Sequence, residues 1–487
     1  MSLGVGVGAR SAESPFGLDA AAVERLGEHV EQALALVRRG GGRALASVMV
    51  PVPADVDFSA AVLASRRADD RWFCLEQPDR GGYAVCGLGA AVVVEASGPA
   101  RFAEAARACR ALAARAVADD AGLDGDRPAG AGPVFLGGFA FAGDGGGSPE
   151  WRSLTPALLV LPEVSFARGG GEARMTVTAA VEGGETVDDV VARLRARVGE
   201  LWPAPMPLLD PDPAVRARVA GAAPPAHYEE AVRRAVERIR AGDLDKVVLA
   251  REVRVHAAGP IDPAPILDAL RGAFPACYCY CVGTPELSFV GASPELLVRR
   301  DGERAQTVAL AGTTRRSADP AVDDHLGEQL LRSDKDRGEQ QIVAERIERT
   351  LDPVSLWVAA ADEPALVKVQ NVQHLATPIR AQLAEPVPTL ELAGLLHPTP
   401  AVGGEPDVAA RPLIPALEGL DRGWYAGAVG WTDLAEDGEL CVALRCALVR
   451  DDVAHLYAGC GIVADSIPAD ELAETEDKLQ ALLPLLA

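Results

Sequence analysis

The chain has 487 residues, of which 49% are hydrophobic, so it is long enough to bury a large core in two or three domains. Its formal net charge is -23 at pH 7, which excludes nucleic acid and an anionic membrane surface as main partners. A site for a small anion would therefore need a metal ion or a few placed Arg and Lys side chains to reverse the field locally.

The chain begins with a predicted tail and a helix. Residues 1–18 are rich in Gly, Ala and Ser, which is typical of a flexible tail. They lack a basic segment followed by a long apolar one, and no run of about 18 apolar residues occurs, so we expect a cytoplasmic protein without signal peptide or membrane span. Helical periodicity begins after Asp19, the predicted N-cap.

Strands come in runs up to residue 221. The strand-like segments are ALASVMVPV, RWFCLEQ, GYAVCGLGAAVVVEA, PVFLGGFAFAG, LTPALLVLPEVSFAR and ARMTVTAAVEG, and the last two are predicted to form a hairpin around Gly169–Gly171. A helix is predicted at PARFAEAARACRALAARAVADD, followed by a loop at 121–132. This half has few polar side chains that could converge on a site.

A proline-rich stretch, residues 203–225, is the predicted boundary, because proline removes ladder donors and stiffens the chain. Beyond it a helix, HYEEAVRRAVERIRAG, runs into the strand DKVVLAREVRVH. Further strands are SFVGASPELLVRR, AQTVALAG, ALVKVQNV, AGAVGWTD, ELCVALRCALVR and AHLYAGCGIV, with helices near 318–350, 388–396, 407–419 and 468–485. The pattern indicates an α+β layered fold.

The nine cysteines form no CxxC pair and no zinc-type spacing with histidine, so we expect buried, reduced thiols. Cys277, Cys279 and Cys281 alternate along ACYCYCV and should share one face of a strand. Core packing is favoured there over a redox or metal role.

Two acidic pairs have helical spacing. Asp336 and Glu339 lie three residues apart, as do Glu471 and Glu474, so each pair shares one helix face. In a chain with 70 acidic residues such pairs are usually solvated. The alternative is that the two helices converge and hold Mg²⁺, which prefers oxygen ligands.

Two further positions have an ordinary and a catalytic interpretation. Lys246 opens the apolar strand KVVLAR, where it could reach solvent or point into a desolvated pocket as a general base. Glu295 in GASPELLVRR is either an edge residue or an acid with a raised pKa.

Glycine-rich segments at AGTTRR, AVGG and GCGIV allow a close approach of backbone to a ligand, but none is a nucleotide loop. Arg445 and Lys478 are candidate carboxylate partners, with surface placement as the ordinary interpretation.

Ten motifs, taken in order, resemble the chorismate-utilising enzyme family: KVVLAR, FVGASPELLVRR, LAGTTRR, SDKDRGEQ, NVQHLATPI, HPTPAVGGEP, RGWYAGAVGW, CVALRCA, AGCGIVADS and ELAETEDKL. The family includes isochorismate synthase, salicylate synthase, anthranilate synthase component I and aminodeoxychorismate synthase component I. The likeness covers about residues 222–485, and it is nearest to isochorismate synthase.

The resemblance implies an α+β fold in which two large antiparallel sheets pack face to face with helices outside. Residues 19–221 would serve as a scaffold half and residues 222–487 as the chorismate-binding catalytic half, and the two would form one compact unit. The resemblance further implies a binding site for chorismate in the second half, no glutaminase subunit and a monomeric enzyme.

By the same resemblance, Glu339 and Glu474 correspond to the direct magnesium ligands, assisted by Asp336 and Glu471. The substrate contacts that it implies are Gly312, Thr313, His374, Ala401, Tyr425, Arg445, Gly461 and Lys478.

The resemblance also implies the reaction class. Lys246 stands where aminating members carry Gln, so water rather than ammonia is the expected nucleophile at C2, and Glu295 would protonate the departing C4 hydroxyl. Ala311 replaces the lysine of the aminodeoxychorismate synthases, and Ala401 stands where lyase and aminating members tend to carry Thr. These positions favour an enzyme that stops at isochorismate.

Salicylate synthase is the main alternative, followed by anthranilate synthase component I, and from another class a catalytically silent chorismate-binding protein. Two departures from the family pattern are Gln340, where His is frequent, and Cys460 in GCGIV. We expect neither to alter the chemistry.

Overall fold

A computed structural model describes residues 14–119, 127–210 and 216–486 of the chain. The strands are β1 Ala44–Pro51, β2 Trp72–Gln77, β3 Tyr83–Leu88, β4 Val92–Ala96, β5 Ala116–Val117, β6 Val134–Phe139, β7 Ala157–Leu161, β8 Val164–Gly169, β9 Glu172–Val181, β10 Arg218–Gly221, β11 Lys246–His256, β12 Tyr278–Thr284, β13 Leu287–Ser293, β14 Leu296–Asp301, β15 Arg304–Arg315, β16 Ser355–Ala360, β17 Ala365–Lys368, β18 Val372–Leu383, β19 Gly404–Glu405, β20 Ala428–Asp433, β21 Gly438–Val442, β22 Cys446–Arg450 and β23 Val453–Ile462.

The helices are α1 Ala20–Gly40, α2 Phe58–Ala64, α3 Arg101–Ala113, α4 Val187–Gly199, α5 Pro225–Arg240, α6 Pro263–Ala273, α7 Pro320–Arg332, α8 Asp334–Leu351, α9 Thr389–Leu396, α10 Asp407–Glu418, α11 Pro468–Leu479 and α12 Leu483–Leu486. Asp19 caps α1 as predicted, its carboxylate accepting from Ala22 N. Among the described residues, no helix is both long enough and apolar enough to span a bilayer.

The strands form two sheets. The described part of the larger sheet has 13 strands in the order β10-β11-β23-β22-β13-β12-β2-β3-β8-β9-β1-β5, with β19 paired to β11. The described part of the smaller has 10, in the order β16-β18-β15-β14-β21-β20-β6-β7-β4, with β17 paired to β18. Pairing is predominantly antiparallel, with β1 and β5 parallel. The predicted α+β class with two large antiparallel sheets is confirmed.

The main core lies between the sheets, and a second one lies under the helices of the larger sheet. Strand β12 shows why: Tyr280 and Val282 face the smaller sheet, whereas Cys279 and Cys281 belong to the core beneath α1, α2 and α6. This is the period-two alternation of a strand buried on both faces. All nine cysteines are buried free thiols, as expected.

Several predicted elements differ from the structure. The run GYAVCGLGAAVVVEA is two strands, β3 and β4, in different sheets, and LTPALLVLPEVSFAR is likewise divided into β7 and β8 at Pro162. Each run was predicted as one strand because the strands on both sides of the turn are rich in apolar residues, and the turn between them was not recognised. The helix predicted near 318–350 is broken at Ser333, and the proline-rich stretch contains β10.

Strands from both sides of residue 221 contribute to each sheet, for β12 pairs with β2 and β20 pairs with β6. The hairpin around Gly169–Gly171 is present as β8–β9. Residues 1–13 of the predicted tail lie outside the described residues, as do residues 120–126, which include the start of the loop predicted at 121–132.

Candidate active site

Lys246 is the first residue of β11, which pairs with β23 along its length and with Glu405 of β19 at its start. Its side chain is fully buried, so the solvent-reaching interpretation is wrong. Nζ lies 2.8 Å from Glu339 Oε1, an ion-pair distance, but none of the described residues offers it an acceptor with hydrogen-bond geometry. A buried amine with this spare hydrogen-bonding capacity is suited to a ligand or a water.

Glu295 lies in the two-residue link between β13 and β14. Its N–H donates to Ser293 Oγ at 3.2 Å and its carbonyl accepts from Val442 N, which fixes the backbone. The residue is 3% exposed, so it is not an edge residue. Burial raises the pKa of Glu295 to about 8, although Lys246 and other cations oppose that rise. The carboxyl is therefore mostly protonated at neutral pH.

A bulge in β15 brings Thr313 to His374 of β18. The register shifts between Ala311 and Thr313, and Gly312 at φ +71 supplies the backbone conformation that the bulge needs. Thr313 Oγ1 lies 3.1 Å from His374 Nδ1, and Gly312 O lies 3.3 Å from the same nitrogen.

Arg445 donates from Nη2 to His374 Nε2. Because a guanidinium only donates, Nε2 accepts and the ring proton is on Nδ1, where it faces Gly312 O. Burial and the Arg445 charge keep the pKa of His374 well below its ordinary value, so the imidazole is neutral. Arg445 itself has φ +46 and a buried Nη1 that finds no hydrogen-bond partner in the described part of the chain. Such backbone strain is concentrated at functional sites.

Lys478 and Tyr425 form another wall. Lys478 Nζ donates to Gly459 O at 2.9 Å and pairs with Glu474 at 2.8 Å. The Tyr425 ring is buried and stacks on Tyr457 with ring centroids 5.3 Å apart.

The two acidic helices converge, which the spacing alone left open. Burial raises the pKa of Asp336 on α8, and the carboxylates of Glu339 and of Glu474 on α11 raise it further. The pKa of Glu471 is raised by burial and by Glu474. Like charges brought together under burial favour a cation at their centre.

Lysines meet three of these acids: Lys246 pairs with Glu339, Lys478 with Glu474, and Lys335 with Glu471 at 3.1 Å. The fully solvated interpretation is therefore wrong for these faces, because Glu471 is 2% exposed and the Glu339 side chain 12%.

Gly461 of β23 lies directly against two of these groups. A Cβ at this position would be 2.1 Å from Glu339 Oε1 and 2.8 Å from Lys246 Cε. Only glycine allows β23, Lys246 and α8 to approach so closely.

These groups surround one cavity. Of the residues predicted for the site, eleven line it: Glu295, Gly312, Thr313, Glu339, His374, Ala401, Tyr425, Arg445, Gly461, Glu474 and Lys478. Three are set back from its wall. Lys246 lies behind Gly461, Asp336 lies behind Gly312, whose added Cβ would be 3.1 Å from Asp336 Cβ, and Glu471 is held by Lys335.

The acid cluster suits a hard divalent cation. Ligand atoms of Cys460, Glu471 and Glu474 lie within 4.8 Å of one another. Burial raises the pKa of the Cys460 thiol well above its ordinary value, so the neutral sulfur is a poor ligand for an oxygen-preferring ion. Glu471 and Glu474 of α11 carry the oxygen donors that Mg²⁺ prefers, and Asp336 of α8 lies close enough for the Glu474 charge to raise its pKa.

Sequence reasoning missed Tyr457, which lines the cavity and also stacks on Trp151. Alternation along β23 carries the signal, because Tyr457, Gly459 and Gly461 are two residues apart and share a face. It also missed Lys335, whose position in SDKDRGEQ next to Asp336 gave no indication that it would reach across to α11.

Comparison with known proteins gives consistent matches. A family model described as chorismate binding enzyme matches residues 30–487. The salicylate biosynthesis isochorismate synthase of Pseudomonas aeruginosa is 37% identical over 429 residues, covering 86% of each chain. The isochorismate synthase MenF of Bacillus subtilis is 35% identical, covering 73% of this chain and 75% of its own. The crystal structure of MenF, the menaquinone-specific isochorismate synthase of Escherichia coli, matches with a TM-score of 0.75 at 27% identity, over 94% of this chain and 100% of its own.

Proposed function

The chain belongs to the chorismate-binding enzyme family, and from that premise we propose that it is a magnesium-dependent isochorismate synthase. In this reaction water adds at C2 of chorismate, the ring double bonds shift, and the C4 hydroxyl leaves as water. No oxidant is needed, since the product is an isomer of the substrate.

One observation carries the proposal: a buried, protonated glutamic acid, Glu295, lines the cavity, and a fully buried lysine, Lys246, lies directly behind the cavity wall at Gly461. Glu295 can give a proton to the leaving hydroxyl because its pKa of about 8 keeps it protonated at neutral pH. Lys246 is the candidate base that takes a proton from the attacking water. Glu295 lies in the link between β13 and β14, and Lys246 is the first residue of β11, so separate elements carry the proposed acid and base.

Lys246 lies beside one of the proposed metal ligands, because its Nζ is 2.8 Å from Glu339 Oε1. Glu339 would therefore connect the proposed base with the proposed magnesium site.

We assign Glu339 and Glu474 as direct ligands of Mg²⁺, with Asp336 and Glu471 assisting. Magnesium there would supply positive charge to a substrate carboxylate and would relieve the repulsion among these acids. The support is the convergence of α8 and α11, where Glu474 of α11 helps to raise the pKa of Asp336 on α8 and of Glu471 on its own helix.

Arg445 is the main candidate to bind a substrate carboxylate, with Lys478 and the backbone near Gly461 beside it. Its unpartnered Nη1 is a ready donor. The neutral His374 orients the guanidinium rather than competing for the anion. Thr313, Gly312 and Tyr425 complete the proposed contacts.

Ala401 supports release of isochorismate without pyruvate loss, because it offers no hydroxyl to the cavity that it lines. The relatives named above are isochorismate synthases, one of them for salicylate biosynthesis. We propose an enzyme that acts on chorismate without a glutaminase subunit.

The test is product analysis. Purified protein is incubated with chorismate and Mg²⁺, or with a chelator, and products are separated by chromatography. We expect isochorismate with Mg²⁺ and none with chelator. Sustained release of salicylate and pyruvate would instead support the salicylate synthase alternative, and no conversion would overturn the proposal.

A further inference from the structure

A buried ion pair lies immediately behind the cavity, on the side of β11 away from β23. The Arg422 and Glu418 side chains are 3% and 1% exposed. Arg422 Nε lies 3.0 Å from Glu418 Oε2, and Nη2 also meets this carboxylate. A buried pair of this kind gives little net stability compared with apolar residues of the same volume, so its use must be sought in what it holds.

The pair fills a gap in the hydrogen bonding of β11. On this side β19 pairs only with Lys246 and Val247, and β10 pairs only from Val253 onward. Between them, Glu418 Oε1 accepts from Ala250 N at 2.7 Å, and Arg422 Nη2 donates to Val248 O at 2.9 Å. Two side chains thus replace a missing strand just beyond the lysine.

The same guanidinium also contacts the segment of residues 397–403, called the 397–403 loop, which contains Ala401. Arg422 Nη1 donates to Val402 O at 2.8 Å, and Val248 N donates to Gly403 O at 2.7 Å. Val248 and Val402 both line the cavity. One planar fork therefore joins two walls of the site, and a point-charge ammonium could not reach both carbonyls in this geometry.

We propose that Arg422, oriented by Glu418, is a positioning residue that fixes the start of β11, and with it Lys246, against the 397–403 loop. This inference rests on the proposed function, because it needs Lys246 and Ala401 to face the substrate. Arg422 touches neither the reacting atoms nor the metal ligands. Its loss should thus reduce turnover more than substrate binding.

The test uses Arg422→Lys, which keeps the charge for Glu418 but removes the fork. We expect kcat to fall by about 10- to 100-fold, since a displacement near 1 Å at a catalytic group has that effect. KM should stay within about threefold, because Arg445 and Lys478 are untouched. The midpoint of thermal unfolding is measured alongside, and rates are compared well below it.

Arg411→Lys is the matched control. Arg411 is likewise paired with an acid four residues before it, Asp407, but both residues lie in α10, and the Arg411 side chain is 63% exposed and does not line the cavity. We expect wild-type kcat and KM. If Arg422→Lys proves insoluble, the Arg422→Gln/Glu418→Gln double variant, which leaves no unpaired buried charge, takes its place with the same expectation.

Wild-type kcat in the Arg422→Lys variant would overturn the inference, because Arg422 would then serve only to neutralise the buried charge of Glu418. A rise in KM of about 10- to 100-fold with unchanged kcat would overturn it as well. If the wild type forms no isochorismate, the proposed function fails first, and this inference falls with it. A wild type that turns over beside an unaffected variant would refute the positioning role alone.

Discussion

The pH dependence of turnover gives the sharpest test of the acid. Glu295 with a pKa of about 8 is roughly 90% protonated at pH 7 and roughly 10% at pH 9. Because only the protonated carboxyl can assist departure of the hydroxyl, kcat/KM should fall about ninefold between these pH values. This parameter reports ionisation of the free enzyme, which is the state that the structure describes.

The contribution of Glu295 to folding stability also falls as pH rises, so a loss of stability must be distinguished from a loss of catalysis. A carboxyl whose pKa is raised on folding favours the folded state most at low pH, and this contribution declines as pH rises from about 4.5 through about 8. Thermal unfolding is therefore measured at pH 7 and 9 beside the initial rates, which are followed by chromatography of isochorismate.

Asp433 offers a matched control. Burial and the neighbouring Asp437 raise its pKa to about 7, but it is the last residue of β20 and does not line the cavity. Asp433→Asn should leave the descending limb of the profile in place. Glu295→Gln should remove the limb and lower kcat by about 10²- to 10⁴-fold. A flat profile between pH 7 and 9.5, or a limb that survives in Glu295→Gln, would refute the acid assignment.

Lys246→Ala should lower kcat at least about 100-fold while chorismate still binds by calorimetry, whereas the surface variant Lys368→Ala should match the wild type. Retention of most of the rate would end the base assignment. Glu339→Ala should weaken Mn²⁺ binding, measured by electron paramagnetic resonance without substrate, together with activity. Unaltered ion affinity would remove Glu339 from the ligand set. Gly461→Ala should inactivate a folded protein because its Cβ meets Glu339 Oε1 at 2.1 Å, whereas Gly199→Ala, with open space, should be neutral; full activity of the former would show that the close packing is dispensable.

Local sequence patterns predicted most helices and strands and the acidic pairs on one helix face. They did not predict where the chain passes from one sheet to the other. Gly89 and Pro162 mark two such crossings, and both interrupt apolar runs that read as one strand. Periodicity reports whether a segment is buried, and segments of either sheet bury both faces, so the pattern cannot tell which sheet a strand joins.

The site residues could be named from ordered motifs, but their interactions could not. Spacing places Glu339 on one helix and Glu474 on another, and only tertiary packing makes their faces meet. Arg422 opens the motif RGWYAGAVGW, but nothing in the sequence indicated that it would pair with Glu418 or hold β11. Asp407 and Arg411 are four residues apart and form an exposed ion pair, as this spacing predicts. Glu418 and Arg422 have the same spacing but form a buried pair, because they pack against β11, and the spacing alone does not report that contact.

The cations around the cavity are not equivalent, and this difference explains how a chain of charge -23 can select an anion. Lys246, Lys335 and Lys478 each lie within ion-pair distance of a carboxylate. Among the residues that the structure describes, no carboxylate pairs with Arg445; its partner is the neutral His374. Burial lowers the pKa of Arg445 and penalises its uncompensated charge. Under the proposed function, a substrate carboxylate would remove that penalty, and affinity would then depend on this guanidinium rather than on the net charge of the protein.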